Sequence, residues 1–463
     1  MSLQIVAGGS GAGKSTYIYS DVIEKSMKYP EKNYIVVVPE QYTMATQKKL
    51  VESHPRKGIL NIDVVSFERL SYKVFEEIGG QNHPVLDDTG KNLIVRKVLG
   101  DNRDKLRYFG SNINKTGFVS ELKSVISEFL QYDIDVKRLG EIRERVEDSR
   151  QLSAKLDDIS VVYSAFKEYL ADNYITSEEI LSVLCSVIDR SENIKRSEII
   201  LDGFTGFTPI QYRLIELLLI YSGKVIVSVT ADSREKLNVN EGIQQLFFMS
   251  KEMVSKLYRI CDVIHVDVLN PIILDNEKNP RFVSDEIAFL EKNIFRNNNQ
   301  SYNKKCEDIK IITAQTPKEE LNYCISEILR LTRYEGYRYR DIAIVSADMA
   351  SYGILAGNIC RQNRIPCFVD NKKPVTDNPF VEYIRSALEI IEKSFTYDSM
   401  FRYLRSGMSG ISREDVDLLD NYCLAVGIRG SKQWHGTWVK KGRGRSAYPL
   451  DYLNELRGKI MKP

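Results

Sequence analysis

No C-x-x-C pair occurs in this sequence, and none of its four histidines stands at metal-ligand spacing to a cysteine, so nothing in it argues for a zinc site. The seven cysteines (Cys185, Cys261, Cys306, Cys324, Cys360, Cys367 and Cys423) are scattered and are expected to be buried, reduced thiols. Long apolar runs are missing as well: no stretch is apolar enough for long enough to cross a bilayer as a helix. Met1–Gly8 has neither the basic start nor the apolar core of a signal peptide, and the chain is expected in the cytoplasm with no membrane partner. An excess of one charge is also lacking. The net charge is only +2, so nucleic acid would have to be held by a local groove and not by a global positive field. What is present is an ordinary globular composition, 43% apolar and 28% charged, over 463 residues. That length exceeds a single core, so two to four structural units are expected.

Two stretches alternate buried strand and helix in the manner of an open α/β sheet, and a helical segment separates them. The first covers residues 1 to about 85, with strand Leu3–Ala7, a helix from Ser15, strand Tyr34–Val38, a helix from about Thr43 and strand Ile62–Val65. From Thr89 to Ser191 apolar residues recur at three- and four-residue spacing (Leu93, Val98; Phe118, Leu122, Ile126, Phe129; Leu156, Ile159, Val162, Phe166), which predicts a helical insertion. Strand-like runs return at Ile199–Leu201 and Lys224–Thr230, so the sheet begun at Leu3 is completed only after the insertion. Asn270–Lys305, rich in Asn, Lys and Pro and containing Asn297–Asn299, reads as a linker. Beyond it a second α/β unit is predicted, with strands Ile309–Thr313, Ile342–Val345 and Cys367–Val369 and a helix over Lys318–Tyr334. After about Phe395 the pattern is helical, broken by the basic run Lys440–Arg445, which reads as a solvated loop or a phosphate contact. Leu453–Pro463 reads as an amphipathic helix without a closing cap, as expected of a fragment of a longer protein.

The strongest motif is Gly8-Gly9-Ser10-Gly11-Ala12-Gly13-Lys14-Ser15, which fits G-x-x-x-x-G-K-[ST] without a departure. It follows an apolar strand and precedes the helix of Thr16–Ser26, the context that such a P-loop requires. Glycines let the backbone wrap an anion, the helix start adds partial positive charge, Lys14 reaches the outer phosphates, and the Ser15 hydroxyl is placed to ligate Mg²⁺. Gly8 to Thr16 are therefore the expected ATP-binding residues.

A P-loop alone does not name the chemistry. A hydrolase also needs a strand ending in a carboxylate for the metal, and usually a neighbouring acid that positions the attacking water. The run Glu198-Ile199-Ile200-Leu201-Asp202 ends in such an acid, and Asp202 is the expected second Mg²⁺ residue. It is followed by Gly203, with no further acid before Glu216. A general base contributes about 10²- to 10⁴-fold to rate, so its absence predicts nucleotide binding with turnover near background. Other readings stay open: Asp202 as a strand-end cap, an acid elsewhere in the chain, or one supplied by a partner.

These residues resemble superfamily 1 helicases of the UvrD type, whose second motif runs D-E-F-Q-D-T-N-P-L-Q after an apolar strand. Asp202, Phe204, Pro209 and Gln211 match it without a gap, whereas Gly203 and Gly206 stand where the motor acids would be. More narrowly, P-E-Q-Y-T after the second strand, S-F-E-R-L after the third and D-G-F-T-G-F-T-P together resemble the AddB family, one of the two chains of bacterial AddAB (RexAB-type) helicase–nucleases, along the whole chain. The resemblance implies an α/β fold of two RecA-like P-loop domains with parallel sheets and helical insertions. Residues 1–85 with 196–305 would form the first RecA-like domain (1A), 86–195 the 1B insertion, 306–395 part of the second RecA-like domain (2A), and 396–463 the start of a 2B insertion.

It further implies a subunit that resects double-strand DNA ends for recombination beside an AddA-type partner carrying the motor. The nuclease metal and iron–sulfur cluster would belong to a C-terminal domain not contained in this chain. In an active motor of this type an Arg follows a strand of the second domain; here Ala347 stands at that position. The alternative is an active ATP-driven DNA translocase. Superfamily 1 proteins hold single-stranded DNA on the loops after the second and third strands, here Pro39–Thr43 and Ser66–Tyr72. Gln41 and Thr43 could bond base edges, Arg69 a phosphate or guanine, and Phe67, Tyr72 and Phe207 could stack bases, as part of a reader of the recombination hotspot Chi. Phe67, Leu70 and Val74 also sit at helical spacing and read equally as core.

Overall fold

Strands rich in Val, Ile and Leu on both of their faces need a helical layer on each side, and a parallel sheet supplies that arrangement. A computed structural model of the chain describes all residues other than 80–83, 114, 133, 147–148, 172–173, 240–241, 275–278, 297–299, 371–374, 441–448 and 462–463. It divides into two units, 1–310 and 311–463. The first is built on a seven-stranded, all-parallel sheet of β1 (Ser2–Gly8), β2 (Asn33–Val37), β3 (Ile62–Val65), β6 (Ser197–Leu201), β7 (Lys224–Thr230), β8 (Asp267–Val268) and β9 (Ile272–Ile273). The order is β3-β2-β6-β7-β1-β8, with β9 also on β1. Two short strands, β4 (Val85–Leu86) and β5 (Ile175–Thr176), pair separately where the insertion leaves and rejoins.

Alternate residues of each strand serve opposite layers. Leu3, Ile5 and Ala7 of β1, with Val225, Val227 and Val229 of β7, pack against α3 (Phe67–Ile78), α8 (Ile180–Val187), α10 (Pro209–Tyr221) and α11 (Phe248–Ile264). Val6, Val36, Ile200 and Ile226 face the other way, onto α1 (Lys14–Lys28) and α2 (Thr43–Ser53). The insertion comprises α4 (Asp88–Asp101), α5 (Thr116–Gln131), α6 (Val136–Glu144) and α7 (Arg150–Ala171) and has its own core of Leu99, Leu122, Ile126, Val162 and Phe166. Leu93, read as part of the apolar face, is instead exposed. Its neighbour Ile94 turns inward.

Asn270–Lys305 is not a linker. It contributes β9 and α12 (Asp285–Asn293), and Glu286, buried on α12, accepts from the backbone N–H groups of Glu307, Asp308 and Ile309. Asn and Lys composition suggested a solvated tether; backbone pairing of residues 272–273 to β1 and buried ion pairs hold the segment down instead. Asn297–Asn299 and residues 441–445 of the basic run lie outside the described residues.

The second unit contains α13 (Pro317–Tyr334) and α14 (Met349–Gln362), joined by Leu321, Ile325, Ile328, Ile359 and Cys360, and a helical cluster from α15 (Pro379–Glu392) to α19 (Leu450–Ile460) around Trp434. The three runs predicted as strands, 309–313, 342–345 and 367–369, form no ladder among the described residues. A parallel strand must exchange hydrogen bonds with a neighbouring strand, and these have none; Ile311, Val345 and Phe368 are 92%, 92% and 90% exposed. Cysteines follow the packing: Cys261, Cys360 and Cys423 are buried, but Cys306 and Cys367 are exposed, against expectation, because neither lies on an element that packs into a core. All seven are free thiols. Among the described residues no helix is long and apolar enough to cross a membrane.

One buried cation knits the insertion. Lys91 on α4 is 2% exposed, and its ammonium lies 2.8 Å from Glu178 and 2.8 Å from Asp88, with the Ser127 hydroxyl of α5 at 3.5 Å. Burial opposes ionisation of Glu178, but the hydrogen bond and charge of Lys91 outweigh it and hold the carboxyl below its ordinary value. Glu178→Gln strands the ammonium and is expected to cost about 3 kcal/mol in urea unfolding, the usual scale for breaking a buried pair. Because the native carboxyl is depressed, this contribution is present above the ordinary value of 4.5 and is lost as pH falls below it.

Candidate nucleotide site

The C-terminal ends of β1 and β6 create the site. β1 ends at Gly8 and α1 begins at Lys14, so Gly9 to Gly13 must reverse the chain in one tight loop. Gly11 at φ +82° and Gly13 at φ +91° take the left-handed conformations that allow this, and Ala12 N–H donates back to Gly9 O at 3.2 Å. α1 starts without a side-chain cap, leaving its first turn aimed at the loop. Lys14 Nζ donates to Gly8 O at 3.0 Å and Gly9 O at 2.9 Å. Burial lowers the Lys14 pKa, Asp202 opposes the shift, and Arg281 adds to it. Ser15 is partly covered and Thr16 exposed at the helix start.

Asp202 arrives at the same end because β6 runs parallel to β2, with Leu201 opposite Val37 and the Asp202 N–H donating to Val37 O at 3.0 Å. Its carboxylate is 5% exposed, and Oδ2 accepts a 2.6 Å hydrogen bond from the Tyr19 hydroxyl, itself on a 5% exposed side chain of α1. Burial first, then the charge of Asp202, raises the Tyr19 pKa far above that of an ordinary phenol, so the hydroxyl keeps its proton and donates. The Ser15 and Thr46 hydroxyls lie against the same phenol oxygen. The pair expected to hold Mg²⁺, Ser15 and Asp202, is therefore in place but bridged by a protein hydroxyl, and the Asp202 oxygen facing the site is already engaged. A cleft of about 260 Å³ opens here, lined by Ser15, Tyr19, Thr46, Lys49, Asp202 and Gly203.

Gly203 has φ +84°, a conformation that side chains other than glycine rarely adopt, and its N–H donates to Ser228 Oγ at 3.2 Å. A glutamate there would be strained even though the nearest atom to an added Cβ, Pro39 Cδ, is 3.6 Å away. Gly206 stands in open space. Pro209 begins α10, and Gln211 closes a capping box with Thr208. Ala347 is an exposed residue of the second unit.

Sequence reasoning missed Asn279 and Arg281. Asn279 Nδ2 donates to Ser10 O at 2.8 Å, Arg281 Nη1 to Ser10 Oγ at 3.2 Å, and an added Cβ on Gly11 would meet Arg281 Cβ at 2.7 Å. This arm is fastened by Arg296, which pairs with the buried Asp232 at the end of β7 and with Glu235 at 3.2 Å. An isolated Asn-Pro-Arg in a polar stretch carries no periodicity; only the return of the chain to β1 puts it on the P-loop.

The loops expected to meet DNA divide between surface and core. Gln41 is exposed on a short turn of helix, Glu40–Tyr42, and Tyr72 is half-exposed on α3. Arg69 is exposed and pairs with Glu40 at 3.2 Å, linking the two loops. Thr43 is buried and donates to Glu40 O at 2.9 Å, so its hydroxyl caps its own turn. Phe67 is 6% exposed, with its ring 5.3 Å from that of Phe204 and 6.2 Å from that of the half-buried Phe207, and Leu70 and Val74 are buried beside it. Thr43 and Phe67 are thus corrected from DNA contacts to packing residues, because the apolar face of α3 must cover the sheet.

Residues 5–291 match the family model described as "ADDB, N-terminal". The chain is 44% identical over its whole length to a protein of Lachnoclostridium phytofermentans named as the B-type subunit of an ATP-dependent helicase/deoxyribonuclease, and covers 40% of it. Equally named proteins of Clostridium novyi and Clostridium tetani are 35% and 33% identical over all of this chain, which covers 40% and 41% of them. The chain thus spans about 40% of the length of these curated relatives.

Phe67→Ala is expected to cost about 3–5 kcal/mol in denaturant unfolding, as for other buried Phe truncations. A base-stacking role would instead show as lost affinity for single-stranded DNA at unchanged stability.

Proposed function

The chain belongs to the AddB family, and from that membership we propose that it is the ATP-binding, hydrolytically impaired, helicase-like part of a complex that resects double-strand breaks for recombinational repair in the cytoplasm. The observation that carries the impaired-motor reading is Gly203 at φ +84° beside Asp202: no acid follows the strand-end carboxylate, and the backbone there disfavours one. Lys14, the uncapped first turn of α1 and Arg281 converge on the P-loop and suit a triphosphate. If Mg²⁺ accompanies the nucleotide, Ser15 and Asp202 are the residues that would hold it, and it would supply charge neutralisation at the outer phosphates.

Its partner is an AddA-type subunit that carries the motor, and its substrates are double-stranded DNA and the single strand drawn from it. The DNA-holding surface is Gln41, Arg69 and Tyr72, with Phe207 behind them, and serves recognition of Chi more than movement. Arg69 must leave Glu40 to meet a phosphate, an exchange that an exposed pair allows at little cost. Nuclease metal and iron–sulfur chemistry are assigned to none of these 463 residues. Burial raises the Cys261 and Cys423 thiols to about 11 and about 12, which disfavours the thiolates that a cluster needs.

The rival, an ATP-driven translocase, is favoured by one observation, the Arg281 guanidinium at the P-loop, a group able to stabilise charge on a transferring phosphate. ATP turnover with and without single-stranded DNA separates the two. An impaired site gives no DNA-stimulated hydrolysis but a thermal shift with ATP equivalent to about 2–3 kcal/mol at saturation, lost in Lys14→Ala. Brisk stimulated hydrolysis sinks the proposal in favour of the translocase.

A further inference from the structure

We infer that Tyr19 and Lys49 together take over the work of a divalent ion at this site, so that the chain holds a free nucleoside triphosphate nearly as well as its Mg²⁺ complex; this rests on the nucleotide-binding reading above. Three oxygens that would surround such an ion, those of Ser15, Thr46 and Asp202, converge on one point, and the Tyr19 hydroxyl occupies it. The phenol is fixed from behind, because its ring is buried on α1 among Val22, Val36 and Leu50. Its 2.6 Å hydrogen bond uses the Asp202 lone pair that an ion-bound water would need.

Mg²⁺ demands six oxygens in near-octahedral array and gives up water reluctantly, so a site whose one nearby carboxylate is already bonded to the protein offers it little. Positive charge comes instead from the chain. Lys49 on α2 lines the same cleft, with Nζ 5.4 Å from the centre of the Tyr19 ring, and Lys14 and Arg281 flank the P-loop from the other side. No second acid replaces the engaged one, since Gly203 follows Asp202. The chemistry that fits is a polyanion met by three fixed cations and the α1 start, with Asp202 neutralised by a donated proton bond.

The test is fluorescence titration of the purified chain with methylanthraniloyl-ATP, in Mg²⁺ and in EDTA, on wild type, Tyr19→Phe and Lys49→Ala, with melting temperature as the fold check. Removing Mg²⁺ is expected to weaken wild-type binding by less than about threefold, and binding to Tyr19→Phe, which frees Asp202, by about tenfold or more. Lys49→Ala, a change at an exposed position, is expected to lose about fivefold more affinity in EDTA than in Mg²⁺. Equal and large Mg²⁺ dependence in wild type and Tyr19→Phe, or a Lys49→Ala loss that is the same in both buffers, overturns the inference while leaving nucleotide binding intact. Absence of binding to wild type in either buffer removes the nucleotide site itself, and the inference with it.

Discussion

β1 and β2 follow one another in sequence, yet they are not neighbours in the sheet: β6 and β7 lie between them. Every backbone group on the facing edges of β1 and β2 goes unpaired until two strands arrive from beyond the helical insertion. That constraint decides much else. It carries Asp202 to the carboxyl end of the sheet beside the P-loop, and it makes the insertion a closed excursion whose ends meet in the β4–β5 pair. It also means that 1–85 cannot form the site alone, since the parallel pairing that completes it is non-local and entropically costly to close.

Within the site the electrostatics are one-sided. Lys14, Arg281 and Lys49 stand against the single carboxylate of Asp202, and that carboxylate is satisfied by the Tyr19 hydroxyl. A surplus of cations around a phosphate loop favours holding a polyanion. Positioning and activating a water takes a second acid, and the left-handed backbone at Gly203 disfavours one. Binding and turnover thus part company in the local geometry, in keeping with the proposed role of a nucleotide-binding subunit without a motor.

The aromatic cluster of Phe67, Phe204 and Phe207 shows how the same sequence pattern can serve two ends. Ser66 caps α3 and turns Phe67 toward the sheet, whereas Arg69, two positions on, is left at the surface next to Glu40. Core and surface alternate here at single-residue resolution, and the residues on offer to a partner are those that the sheet does not need.

Much was legible in the sequence because it is local. The P-loop, the strands over 2–8, 33–37, 62–65, 197–201 and 224–230, the helical insertion and the lone acid at the end of β6 all follow from patterns spanning a few residues, in which apolar alternation and glycine placement have direct geometric meaning. The rest depended on contacts between distant segments. Tyr19 and Asp202 are 183 positions apart, and neither spacing nor composition announces their hydrogen bond. Arg281 reaches Ser10 across 271 positions from a stretch that reads as linker. The apolar runs at 309–313, 342–345 and 367–369 carry strand character in their composition but no ladder among the described residues, since a strand is defined by its neighbour. The sequence by itself determined the secondary structure of the first unit and the phosphate loop, because backbone sterics and hydrophobic periodicity act within a turn or a strand. Which side chains share the loop's surroundings was decided only by the tertiary order of the sheet, because parallel pairing brings together strand ends that the chain keeps far apart.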